Sequence, residues 1–157
     1  MSDSDNQTPQ QQQRGQRPAL RGSRTQTNLE RALSRDSQST QLLTYFAKIA
    51  QIEGYPDAAR ALSELAESQV QYTHGHIDFL KRVGDPLARK RVGETTLNLS
   101  ASIAIEQLDA VNDLEEMART AHGEGFPDIA SWFESVSDAK RSRIERLQRE
   151  LSQIEGA

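Results

Sequence analysis

The sequence predicts an all-α chain folded as a four-helix bundle, and three observations carry that prediction. An eleven-residue phrase occurs twice, as AKIAQIEGYPD over 47–57 and as ARTAHGEGFPD over 118–128, at a constant offset of 71 residues. In each copy a helical run stops at Gly and Pro opens the next run, which is the corner of a helical hairpin. On either side of the corners, apolar residues recur at spacings of three and four, the period of a helix with one inward face. Two corners make two antiparallel pairs, hence four helices.

Composition narrows the class. A length of 157 residues suits one domain with a core of its own. A net charge of −4 gives no global attraction for nucleic acid. The absence of cysteine removes disulfides, thiolate metal sites and thiol catalysis together. No apolar run approaches a membrane span, and the N-terminus lacks the apolar stretch of a secretory signal. The expectation is a soluble, cytoplasmic protein that engages neither nucleic acid nor membrane.

The elements follow in order. Residues 1–19 are rich in Gln and hold almost nothing to bury, so a disordered arm is expected. Arg14, Arg17, Arg21 and Arg24 make its second half basic. It reads as a solvated tail, with a tether to an acidic protein partner as the alternative. The bundle should occupy 20–153 and a short tail 154–157. The first helix is predicted from Thr25 or Thr27 to about Glu53, with Leu29, Ala32, Leu33, Leu43, Phe46, Ala47 and Ala50 facing inward. The second opens at Pro56 and ends near Arg82 or Val83. Its inner face is Ala59, Leu62, Leu65, Ala66, Gln69, Tyr72, His76 and Phe79. Gly84 to Gly93 breaks the helix and forms the crossover between hairpins, made basic by Arg89, Lys90 and Arg91. The third helix is predicted from about Glu94 to His122, with Ile103, Glu106, Ala110, Asp113 and Met117 on one stripe and Asp109 beside Glu106. The fourth runs from Pro127 to about Ser152 and turns Ile129, Trp132 or Phe133, Val136, Lys140, Arg143 and Leu147 inward.

The three histidines form no convincing ligand set. His74 and His76 are two apart, which points them to different faces of a helix. His76 shares the stripe of Gln69 and Tyr72 and reads as a partly buried hydrogen-bonding residue. His122 sits near a helix C-terminus, where the dipole favours a cation. No Ser-His-Asp pattern or phosphate-cradling glycine loop stands out.

The segments LRGSRTQTNLERAL, DSQ, TYFAKIAQIEGY and GEGFPDIA closely resemble the rubrerythrins, over about Leu20 to Leu151. The resemblance implies a ferritin-like bundle, two irons and reduction of hydrogen peroxide. It also implies a homodimer, with exchange of helix pairs through the 84–93 crossover as one form of it. Many such proteins carry a rubredoxin domain with four cysteines, which this sequence does not contain.

The resemblance also implies a ligand set: Glu on the first helix, Glu-x-x-His on the second, two Glu three apart on the third, and Glu-x-x-His on the fourth. Counting from the shared corners, the first falls on Asp36, the second pair on Gln69 and Tyr72, the third on Glu106 and Asp109, the fourth on Lys140 and Arg143. The tyrosines near the irons fall on Leu43 and Leu114. Iron of this kind wants carboxylate oxygen and imidazole nitrogen. Gln69 is a weak neutral donor, a phenol such as Tyr72 ligates only after losing its proton, and Lys140 and Arg143 are cations. Four of the seven positions have therefore lost a ligand.

Asp36, Glu106 and Asp109 remain acidic against the two cations, leaving one net negative charge at the centre. Bare carboxylates there would be costly. The expectation is that Lys140 and Arg143 stand in for the metals and tie the fourth helix to the first and third. On that reading the chain has no catalytic residue and no cofactor, and is a structural or protein-binding pseudoenzyme. Two alternatives remain: an iron peroxide reductase or iron oxidase with an unusual ligand set, and a single hard divalent ion held by Asp36, Glu106 and Asp109.

Overall fold

The computed structural model describes residues 19–156, so all but Ala19 of the expected arm lies outside the described residues. The chain is all-helical. It runs α1 (Arg24–Ile52), α2 (Pro56–Leu80), α3 (Thr95–Gln107), a π-helical turn (Leu108–Asp113), α4 (Leu114–Glu124) and α5 (Pro127–Glu155). The third predicted helix is thus α3, the π turn and α4 in succession. Two hairpins result, α1 with α2 and α3–α4 with α5, the parts of a ferritin-like bundle.

Local chemistry accounts for most boundaries. α1 starts one to three residues earlier than expected because Ser23, not a threonine, is its cap. The Ser23 hydroxyl accepts from the Gln26 amide at 3.1 Å and donates to the Leu20 carbonyl at 2.7 Å. The Gln26 side chain in turn accepts from the Gly22 amide at 2.8 Å, a near relative of the capping box. α2 ends at Leu80, two or three residues short of expectation, because the chain turns there: the Val83 and Gly84 amides both return to the Leu80 carbonyl. α5 runs through Glu155, so the expected tail is shorter than 154–157.

The two corners are built alike. Gly54 and Gly125 hold φ of 84° and 86°, where a side chain would be strained. The Tyr55 amide donates to the Ala50 carbonyl at 2.9 Å, and the Phe126 amide to the Ala121 carbonyl at 2.8 Å. Each pair corresponds at the 71-residue offset.

The same offset relates the seams. Ala47, Ala50, Ala59 and Ala66 are buried in the first hairpin, and Ala118, Ala121, Ala130 and Ser137 in the second. Along α2 the seam continues at Thr73 and Leu80, giving a strict seven-residue spacing from Ala59. Small residues at that spacing let two helices approach closely along their length. Each hairpin is therefore a narrow, alanine-seamed ribbon.

Several residues expected inside lie open. Leu65, Tyr72 and Phe79, seven apart on the inner face of α2, are each more than half exposed, and Phe46 and Ile129 nearly so. On α5 it is Phe133 that turns partly inward while Trp132 stays exposed. Met117 and Asp113 also lie exposed, with Ala118 and Ala121 buried instead. The π turn accounts for that shift, since a wider turn takes up an extra residue and rotates the stripe beyond it. Leu80 is the one large side chain that is fully buried among the described residues.

Candidate functional site

Lys140 is the centre of the second hairpin's polar cluster. α5 carries it three residues beyond Ser137, whose hydroxyl donates to the Ala110 carbonyl at 2.8 Å and so pins the π turn to α5. That turn sets Asp109 against Lys140. The ammonium nitrogen lies 2.9 Å from Asp109 Oδ2 and 3.4 Å from Glu106 Oε1. Lys140 and Glu106 are 17% and 18% exposed in their side chains, and Asp109 is 41% exposed. Burial pushes the lysine's pKa down, but the hydrogen bond and charge of Asp109, with Glu106 behind them, outweigh it and hold it above the usual value. Arg143 lies one turn on. Its guanidinium reaches Glu106 Oε1 only at 4.0 Å, and its side chain is 64% exposed.

The first hairpin holds a separate cluster. Asp36 Oδ2 and His76 Nε2 lie 3.0 Å apart, joining α1 to α2. Asp36 was expected among the partners of Lys140 and Arg143; the described residues give it His76 instead, from the helix packed directly against it. Gln69 sits one turn before Tyr72 on α2, and its carbonyl oxygen is buried without a hydrogen-bond partner. Glu106 Oε2, in the second hairpin, is likewise buried and unpartnered. Tyr72 is 58% exposed.

The seven positions thus fall into two groups, Asp36, Gln69 and Tyr72 on the first hairpin and Glu106, Asp109, Lys140 and Arg143 on the second. Among the described residues no salt bridge joins one group to the other. His76 completes the first group and Ser137 the second. His76 was visible as a member of the α2 stripe. Ser137 was visible only as the one polar residue in the alanine seam, at the position equivalent to Ala66.

Comparison with known proteins agrees with this architecture. The family model described as Rubrerythrin matches residues 27–151. The chain belongs to the rubrerythrin family. It is 28% identical over 141 residues to a rubrerythrin of Porphyromonas gingivalis, covering 87% of this chain and 70% of that protein. It is 26% identical over 145 residues to rubrerythrin-1 of Clostridium acetobutylicum, covering 87% and 74%. It is 26% identical over 133 residues to a rubrerythrin of Nitratidesulfovibrio vulgaris, covering 82% and 70%.

A rubrerythrin fold implies two irons, and the residues here do not fit them. A primary ammonium already occupies the space between Glu106 and Asp109 and neutralises them. Asp36 is engaged by an imidazole. Gln69 and Tyr72 are neutral, and Arg143 repels a cation. Among the described residues no three His, Cys, Asp or Glu side chains converge in a metal-binding arrangement.

Proposed function

We propose that this rubrerythrin-family chain is a pseudoenzyme, in which an ion-pair network centred on Lys140 stands where the di-iron centre would be, and that it works as a structural or protein-binding module. The observation that carries this reading is the position of Lys140 Nζ within hydrogen-bonding reach of both Asp109 and Glu106. A lysine there does electrostatically what a metal ion would do, compensating two carboxylates, but it offers no open coordination position and no redox chemistry. Arg143 adds a second positive charge on the same face of α5.

The test is the metal content of aerobically purified protein, followed by peroxide consumption with an artificial electron donor. The expected result is colourless protein with substoichiometric iron and no turnover above a buffer control. Two irons per chain, or turnover lost on Glu106→Gln, would overturn the proposal. One divalent ion per chain that is lost in an Asp109→Asn variant would overturn it in favour of a single-ion site.

A further inference from the structure

The inner face of the first hairpin is built for burial, and nothing in its own chain buries it. Leu65, Tyr72 and Phe79 stand on α2 beside Gln69 and His76, and all three are more than half exposed. No Cα of α1 or α2 comes within 8 Å of a Cα of α3, the π turn, α4 or α5. The hairpins meet only at one end. There Leu33, Leu80, Leu87, Ala101 and Ile105 line a cleft of about 660 Å³ between α1, α2, the connection and α3.

The connection explains why the chain does not close on itself. Residues 81–94 were expected to form the crossover of a ferritin-like bundle, which carries the chain along the length of the first hairpin. α2 has 25 residues and is about 37 Å long at 1.5 Å per residue. The connection is instead folded into a closed loop. The Asp85 amide donates to the Lys90 carbonyl at 2.9 Å, and the Asp85 carboxylate accepts from the amides of Leu87, Ala88 and Lys90. Gly84 packs so tightly on the Lys90 carbonyl that an added Cβ would lie 2.8 Å from its oxygen. Residues 84–90 therefore contribute almost no advance. The five steps from Lys90 to Thr95 reach roughly 17 Å fully extended, less than half the distance needed. Two further bonds anchor the loop: Arg89 to Glu30 at 2.5 Å, and Arg21 to the Val83 carbonyl at 3.0 Å.

The missing cover must have the shape of a second hairpin, and the sequence contains one. The 71-residue correspondence places Val136, Lys140 and Arg143 on α5 where Leu65, Gln69 and Tyr72 stand on α2. The two faces also complement one another in hydrogen bonding. The Gln69 carbonyl oxygen is a buried acceptor without a donor, and Arg143 is a largely exposed set of donors.

We propose that two copies of this chain exchange hairpins, so that α1–α2 of one copy and α3–α5 of the other form each four-helix unit. The polar centre is then shared between chains: Lys140 and Arg143 of one copy face Gln69 and Tyr72 of the other. The proposal rests on chain topology and holds whether or not the centre carries metal, so its failure would leave the pseudoenzyme reading untouched.

The test uses the full chain, which has no native cysteine to interfere. If α2 and α5 pass antiparallel at Gln69 and Lys140, Tyr72 lies level with Val136. A Tyr72→Cys/Val136→Cys variant is treated with a short bismaleimide at low micromolar concentration. Light scattering gives the mass in solution and denaturing electrophoresis the covalent mass. The expected result is a dimer by light scattering, with covalent mass doubled. A monomer, a dimer linked only within each chain, or a dimer that does not cross-link would each overturn hairpin exchange. Helix content by circular dichroism establishes that the variant folds. Should it not, Leu65→Cys/Arg143→Cys, level on the same two helices, is read by the same criteria.

Discussion

Replacing Lys140 by methionine isolates the electrostatic part of the centre. Methionine keeps most of the apolar stem and removes the ammonium, so the loss is that of the cation between Glu106 and Asp109 rather than of packing. Breaking a fully buried ion pair costs about 3–5 kcal/mol, because the remaining charge is left uncompensated. A fully exposed pair is worth about 0–1 kcal/mol. Lys140 and Glu106 lie near the buried end of that range, while Asp109, at 41% exposure, can turn to water. The expected destabilisation is therefore about 2 kcal/mol, or roughly 4–8 °C in Tm for a chain of this size. Thermal and urea unfolding followed by circular dichroism, at fixed protomer concentration, measures it. Neutralising the stranded carboxylate as well, in Lys140→Met/Glu106→Gln, should recover more than half of the loss. The pH dependence has a definite sign. Because the native pKa of Lys140 lies above its ordinary value of 10.5, its contribution is complete below that value and disappears as pH rises through the raised native pKa. Wild type should then lose stability more steeply than Lys140→Met on the alkaline side. An unchanged Tm in Lys140→Met, with parallel alkaline limbs, would refute the idea that this ammonium holds the centre together.

Three further outcomes are expected. Gly54→Ala and Gly125→Ala should each cost about 1 kcal/mol, since both glycines hold positive φ with open space around them, leaving backbone strain as the whole effect; equal shifts in urea midpoint would reflect the equivalence of the two corners. Ser137→Ala should cost about 1 kcal/mol by leaving the Ala110 carbonyl without its donor, and amide exchange should quicken in residues 108–113 more than at either corner. Glu30 has its pKa lowered by the hydrogen bond from Arg89 and then that from Gln26, so its contribution is present above the ordinary value of 4.5 and lost as pH falls through the lowered native value; Glu30→Gln should flatten the acid limb of the stability curve.

The corners were legible because their chemistry is local. A glycine at positive φ followed by proline leaves few choices, and the repeated phrase showed the choice made twice. The α2 stripe was also legible in register: Ala59, Ala66, Gln69 and His76 turn inward or toward α1 as their spacing requires. The π turn was not, because Leu108–Asp113 carries an ordinary helical pattern and the widened turn is held by Ser137, far away in sequence. The same shift put Met117 outside. The pairing of Asp36 was missed for another reason. Spacing places a residue on a face, but His76 and the cations of α5 were both candidates for that face, and only the arrangement of the hairpins decides between them.

That arrangement bears on how a metal-free centre is tolerated at all. A di-iron site needs its carboxylates from both hairpins at once, so it holds the bundle together only when closed. The clusters here are each balanced inside one hairpin, Asp36 by His76 and the Glu106–Asp109 pair by Lys140. Neither hairpin then carries a stranded buried charge while the two are apart, which lowers the penalty of an open chain waiting for a second copy. What remains unmatched on the open faces is neutral or easily served: an amide carbonyl at Gln69, an exposed guanidinium at Arg143, and the apolar row of Leu65, Tyr72 and Phe79. Those are the groups that association can satisfy without burying a net charge, so the substitutions that remove the metal ligands also suit the chain to assembly by its hairpins.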